Sequence, residues 1–246
     1  SGAPPRGTTG CNPKQAIRPD KGPMDADNIY LPRVAVLDRV EDEIQDVKTF
    51  HWHFEDPEDQ RAFLRFRPGQ FAQVSLFGAG EMPLSLPPSP TEGRTFFTVR
   101  KVGTCTGALH DLAPGAKFGV RGPYGNGFPM ESFHGKDLIF VAGGIGLIPL
   151  RSCIIYALAN RAKYGRIQIF LGARAPKDLM YRHNLREWEA MSGVECHLTV
   201  DRGEEGWTGN VGVVGSLFKK PGVDVPVENS VAFVCGPPVM FRFVIR

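Results

Sequence analysis

The sequence predicts two folded regions in series, an antiparallel β-barrel over residues 29–130 and a parallel-sheet α/β domain over residues 131–246, with residues 1–28 as a flexible extension. Three observations lead there. Up to about residue 130, short β-branched and aromatic runs recur between Pro/Gly turn signals, the texture of an antiparallel barrel or sandwich. After Gly135, continuous apolar runs alternate with helical stretches, as in a parallel sheet with covered faces. A length of 246 residues suits two domains.

In chain order, Pro4, Pro5, Pro13, Pro19 and Pro23 punctuate an N-terminal stretch without apolar periodicity. The barrel strands are expected at Arg33–Val40, Val47–Phe54, Gln70–Phe77, Thr95–Val102 and Lys117–Arg121, with a short helix at Gly107–Leu112. Asp137–Ala142 is apolar from Leu138 onward, as expected of a strand buried on both faces. A helix at Ile148–Lys163, a strand at Arg166–Gly172, a helix at Asn184–Met191, a strand at Val194–Val200, a helix at Val213–Phe218 and a strand at Ser230–Cys235 follow. Pro237–Arg246 reads as the first turns of a helix without a stop signal, so the natural chain is expected to continue past Arg246.

Composition narrows the function classes. The net charge of +3 gives no electrostatic reason to expect nucleic acid or a membrane surface. No apolar run approaches the ~18 residues of a membrane helix, so no membrane insertion is expected. Five scattered cysteines without a Cys-x-x-Cys pair read as reduced thiols in a cytoplasmic protein.

Five segments can carry chemistry. Val141–Pro149 places Gly143, Gly144, Ile145, Gly146 and Pro149 between a buried strand and a helix. Such a turn lets backbone N–H groups approach a pyrophosphate, although a ligand-free tight turn has the same composition. The spacing is neither G-x-G-x-x-G nor a P-loop. Cys235-Gly236-Pro237 ends another strand, either as a stiff floor for a flat ring or as a buried Cys before a helix-starting Pro. Arg121–Pro129, with Tyr124, is a glycine-rich junction or simply a linker. Thr98, Val99 and Arg100 lead into Gly103, Thr104, Cys105, Thr106 and Gly107, a plausible phosphate seat. Glu81–Leu86 contains Met82, Pro83, Leu84 and Ser85.

In this order the five segments resemble the ferredoxin-reductase superfamily. They resemble more narrowly the gamma-type flavin subunit of cytosolic nickel–iron hydrogenases and sulfhydrogenases, and the electron-transfer subunit of dihydroorotate dehydrogenase shares the plan. The resemblance implies an FAD-binding barrel followed by a Rossmann-like NAD(P)-binding domain. It implies that Ser85 hydrogen-bonds the flavin near N5, that Gly103, Thr104, Thr106 and Gly107 wrap the FAD pyrophosphate, and that Cys235, Gly236 and Pro237 lie beside the nicotinamide. Ser85 and Cys235 are thereby the expected catalytic positions. Where the family has Arg-x-Tyr-Ser, this sequence has Met82 and Leu84, which removes a counter-charge and a stacking ring; Arg100 is the expected substitute for the charge. Arg174 and Lys177 either meet a 2′-phosphate or are surface charges, so NAD and NADP both stay open.

The implied function is a diaphorase-like module that exchanges a hydride with NAD(P)H and trades electrons with iron–sulfur partner subunits. A non-catalytic scaffold with the same fold is the alternative. No acid–base residue is needed, so His51, His53 and His110 are not nominated, and no metal ligands are expected. The hydrogenase-type [2Fe–2S] cluster sits on a cysteine-rich C-terminal segment, so it is expected only if the native chain extends beyond Arg246.

Overall fold

The computed structural model describes residues 28–244, so Cys11 and the expected 1–28 extension, Asn28 apart, lie outside the described residues. The chain divides into two units, the first ending at Leu31 and the second starting at Pro32. Of the first, Asn28–Leu31 is described, a turn in which the Tyr30 and Leu31 N–H groups donate to Asn28.

The second unit contains two sheets. Strands β1 (Arg33–Ile44), β2 (Val47–Phe54), β3 (Phe71–Leu76), β4 (Gly80–Ser85), β5 (Thr95–Arg100) and β6 (Lys117–Tyr124) form an antiparallel, barrel-like sheet in the order β4-β3-β6-β1-β2-β5. Helices α1 (Pro57–Phe63) and α2 (Thr104–His110) pack on it. The inward faces supply an aromatic core in which Trp52 stacks on Phe97 at 5.0 Å and meets Phe54, Phe63 and Phe118 edge-on.

Strands β7 (Asp137–Gly143), β8 (Ile167–Ala173), β9 (Val194–Val200), β10 (Asn210–Val211) and β11 (Ser230–Cys235) form a parallel sheet in the order β10-β9-β8-β7-β11. Helices α3 (Leu147–Ala159) and α4 (Arg182–Glu189) share one core with Leu138, Phe140 and Ala142 of β7. The 3₁₀ segment Val214–Lys219 and α5 (Pro238–Val244) cover Ile139 and Val141 on the other face. Burial on both faces explains why β7 reads as an unbroken apolar run.

The expected strands Val47–Phe54, Val194–Val200 and Ser230–Cys235 occur with the same bounds. Other bounds or helix types differ: the helix expected at Gly107–Leu112 is Thr104–His110, and the strand expected at Thr95–Val102 ends at Arg100. β1 runs on to Ile44, because a register shift between Asp42 and Ile44 accommodates a polar end that breaks the alternation. Val213–Phe218 is 3₁₀ rather than α. The helix from Ile148 stops at Ala159, and Arg161–Lys163 is a separate 3₁₀ turn. Strands β4 and β10, helix α1 and several short 3₁₀ turns were not expected. β4 contains Pro83, which argues against a central strand but is tolerated here because β4 pairs only with β3. The signal for α1 was present: Asp56 caps the Glu58 N–H and Pro57 opens the first turn.

Candidate functional site

The parallel sheet has one topological switch point. From β7 the chain steps outward through β8, β9 and β10, then returns as β11 on the other side of β7. A crevice therefore opens at the carboxyl ends of β7 and β11, where open α/β sheets bind ligands. Cys235 pairs in register with Ala142, which puts Gly143–Gly146 beside Cys235–Pro237. The contact is close: a Cβ on Gly143 would lie 2.9 Å from Pro237 Cδ, and one on Gly146 would fall on the Cys235 carbonyl. Gly144 sits at φ +54° with open space where its Cβ would be, and Ile145 is exposed. The 3₁₀ turn Gly144–Gly146 runs straight into α3: the Leu147 N–H donates to the Gly144 carbonyl, and Pro149 in the first turn has no N–H to offer. The crevice thus presents an open glycine and the positive end of a helix, which fits the pyrophosphate of a dinucleotide.

Burial pushes the Cys235 thiol up from its usual value, so it stays protonated at neutral pH and is a neutral neighbour rather than a nucleophile. Arg174, exposed just past β8, forms no ion pair among the described residues, whereas Lys177 pairs with Glu204 at 3.6 Å.

On the barrel, Ser85 of β4 lies opposite Phe71 of β3, which lies opposite Tyr124 of β6. Directly opposed residues share a sheet face. The Phe71 and Tyr124 rings are 5.9 Å apart, Phe71 is 36% exposed, and the Ser85 hydroxyl has no hydrogen-bond partner among the described residues. This row of aromatic, aromatic and hydroxyl can receive a flat heteroaromatic ring. The period-two alternation of β4 corrects one expectation: Met82 turns into the barrel core and Leu84 packs against it, so neither offers its side chain outward, while Pro83 is exposed.

The stretch from β5 into α2 offers backbone rather than side chains. The Thr98 hydroxyl is bound to Thr49 and Tyr181, Val99 lies in the core, and the Val99 carbonyl accepts from His110 Nε2 at 2.9 Å. Arg100 is held by Asp46 at 3.0 Å, which leaves it a poor substitute for the missing counter-charge. Thr106 Oγ1 accepts from the Val102 and Gly103 N–H groups, and Cys105 Sγ donates to the Ala79 carbonyl. With the Gly103 N–H taken by Thr106, the exposed Thr104 backbone at the start of α2 is the part of this stretch left to an anion.

One link between the two halves is Arg151 of α3, which is 1% exposed. Its guanidinium grips Glu92 through two bonds of 2.8 and 3.0 Å and donates to the Pro87 carbonyl and to Asn184. Although burial opposes ionisation, the Arg151 fork, the Ser89 N–H and Arg94 hold the Glu92 carboxyl down to about 2. Beside it, Tyr181 donates its hydroxyl to Thr98 at 2.7 Å and its N–H to Glu43 at 3.1 Å. Phe128, beyond Tyr124, packs edge-on against Phe233 of β11. Sequence reasoning missed Phe71, Glu92, Arg151 and Tyr181. For Arg151 a signal existed: a lone charge in the apolar helix Leu147–Ala159 has to be buried and paired. His51 meets Arg39 and Glu41, and His53 meets Asp38.

The four described cysteines are free, and no helix among the described residues is long and apolar enough to cross a membrane. The family described as "Oxidoreductase NAD-binding domain" matches residues 140–246. Sulfhydrogenase 2 subunit gamma of Pyrococcus furiosus is 40% identical over 214 residues, covering 81% of this chain and 72% of that one. A probable dihydroorotate dehydrogenase B (NAD(+)) electron transfer subunit of Methanothermobacter thermautotrophicus is 32% identical, covering 88% and 73%. The crystal structure of the cytochrome b5 reductase domain of Ulva prolifera nitrate reductase superposes with a TM-score of 0.71 at 21% identity, covering 88% and 91%, a likeness of fold. The chain therefore belongs to the family of sulfhydrogenase gamma subunits and dihydroorotate dehydrogenase electron-transfer subunits, oxidoreductases with an NAD-binding domain on a ferredoxin-reductase-like fold.

Proposed function

We propose that this chain is the flavin-dependent electron-transfer subunit of a larger redox complex such as a hydrogenase, exchanging a hydride with NAD(P)(H) and passing electrons to or from an iron–sulfur partner subunit. A cytoplasmic location accompanies this reading. The observation that carries it is the pairing of a nucleotide-type crevice at the β7/β11 switch point with the outward Ser85–Phe71–Tyr124 row of the barrel. The barrel, 29–130, is the FAD domain and 131–246 the NAD(P) domain.

A flavin held on the barrel would supply the redox chemistry, as acceptor for a hydride and donor of single electrons. The chain's own residues bind and orient. Phe71 and Tyr124 offer ring faces, Ser85 offers a hydroxyl to a ring nitrogen, and the Thr104 backbone at the start of α2 meets the FAD pyrophosphate. Gly143–Gly146 and the start of α3 receive the second pyrophosphate, and the neutral Cys235 thiol borders the nicotinamide without competing as a nucleophile. No side chain has to move a proton in the hydride step.

The visible spectrum of the purified chain tests the reading. A flavin band bleached by NADH or NADPH is the expected result, and a colourless protein would favour the scaffold alternative. Ser85→Ala should slow bleaching by up to about tenfold, the scale of one hydrogen bond of ~0.5–1.5 kcal/mol, with flavin retained. Rapid-mixing absorbance reads this, and flavin loss at an unchanged rate would make Ser85 a binding residue only. Arg174→Ala should raise the KM for NADPH and leave that for NADH unchanged if Arg174 meets the 2′-phosphate; steady-state kinetics with both nucleotides decides.

A further inference from the structure

We propose that Arg151 is a positioning residue: from the helix that starts at the nucleotide loop it holds the segment that follows Ser85, and so sets how the two ring sites face each other. The inference rests on the flavin and nicotinamide reading above.

The connectivity carries the argument. Arg151 lies five residues after Gly146, on the same helix that closes the glycine loop. Its Nη1 donates at 3.0 Å to the carbonyl of Pro87, two residues beyond Ser85. Its Nη1 and Nη2 donate to the two Glu92 carboxylate oxygens, and Nε donates to Asn184 Oδ1 at 3.0 Å. One planar group therefore ties the loop helix, the continuation of the Ser85 strand and α4 together. Its orientation is fixed from the sides, because the guanidinium carbon lies 5.0 Å from the Phe96 ring centre and 5.4 Å from that of Tyr181.

Stability alone does not account for this choice. Burying an ion pair recovers little over an apolar replacement of similar volume, and the surrounding helix is already apolar. What a forked, always-charged donor adds is direction: its bonds fix angle and distance together. A second frame limits rocking about that point, since Tyr181, Thr98, Thr49 and Glu43 close a hydrogen-bonded ring between the sheets. Ring-to-ring transfer depends on reach and alignment, and a misplacement of about 1 Å can slow a reaction ~10²-fold.

The test uses the full chain with its flavin and two variants, Arg151→Lys and the milder Asn184→Ala. With Arg151→Lys, the rate of flavin reduction at saturating NADH or NADPH is expected to fall roughly 10–100-fold while nucleotide Kd stays within about threefold. With Asn184→Ala a smaller fall of the same kind is expected. Hydrogen exchange supplies a readout besides activity: the amides of residues 86–93 should exchange faster in both variants, with strands β1–β3 unchanged. A folded Arg151→Lys protein that reduces its flavin at the wild-type rate, or whose defect lies entirely in nucleotide Kd, overturns the proposal. If Arg151→Lys does not fold, an Asn184→Ala protein with wild-type rate and wild-type exchange overturns it. A wild-type chain without flavin, or with flavin that neither nucleotide bleaches, removes the functional reading and this proposal with it.

Discussion

Gly146→Ala is expected to destabilise the protein by roughly 3 kcal/mol or more, at the upper end of overpacking, and to abolish nucleotide binding. Gly146 has an ordinary helical backbone, φ −61° and ψ −15°, so its need for glycine is spatial. The added Cβ would land on the carbonyl oxygen and carbon of Cys235 and within 2.9 Å of the Gly236 nitrogen. Those are backbone atoms held by the β7–β11 pairing, so no rotamer change relieves the overlap. The strand ends would have to part, and the crevice would go with them. For a chain of this size, ~2–4 °C per kcal/mol converts the loss to a fall in melting temperature of about 6–12 °C. Gly144 is the contrast. It has a left-handed φ of +54° and nothing within 4 Å of its Cβ position. Gly144→Val should therefore leave the fold and the flavin in place while weakening reduction by NAD(P)H, because its strain of ~1–3 kcal/mol falls on the loop alone. Thermal unfolding and nucleotide titration of both variants check the pair. Equal melting temperatures for Gly146→Ala and wild type would refute the packing argument.

Glu92→Gln is expected to cost about 3 kcal/mol at neutral pH and progressively less in acid. The carboxyl is lowered from 4.5 to about 2 against the opposing effect of burial, chiefly by hydrogen bonding and attraction to Arg151, with Ser89 N–H and Arg94 adding to it. A depressed carboxylate stabilises the fold fully above its unfolded value, and that contribution is lost as pH falls toward the folded value. The gap between wild type and Glu92→Gln should thus be constant from pH 7 to about 5, then narrow from about 4.5 toward about 2. Neighbouring Tyr181 is pushed far up by burial and stays neutral throughout this range. Other lowered carboxyls, Glu41, Glu81, Glu131 and Glu195, make both proteins acid-sensitive but cancel in the difference. Urea unfolding at stepped pH measures it, and a gap that does not change with pH would show that Glu92 acts by shape and not by charge.

The residues that announce themselves in the sequence are those whose local conformation demands a particular type. The apolar run Leu138–Ala142 reads as a doubly buried strand, and the Gly143–Gly146 turn before an apolar helix as a strand-to-helix corner. Cys235-Gly236-Pro237 and Ser85 were legible because they sit at strand ends that a family resemblance marks. By itself, then, the sequence determined the two sheets and their order along the chain, and marked the glycine turns at their strand ends. The tertiary structure alone decided which of those stretches meet. Register across β4, β3 and β6 put Phe71 and Tyr124 beside Ser85, and the same alternation turned Met82 inward. Arg151 and its partner Glu92, and Tyr181 and its partner Thr98, lie far apart in the chain and meet only when the sheets pack. The physical reason is range: glycine angles, caps and strand periods are set by neighbouring residues, whereas a buried charge finds its partner through long-range packing that no local pattern encodes.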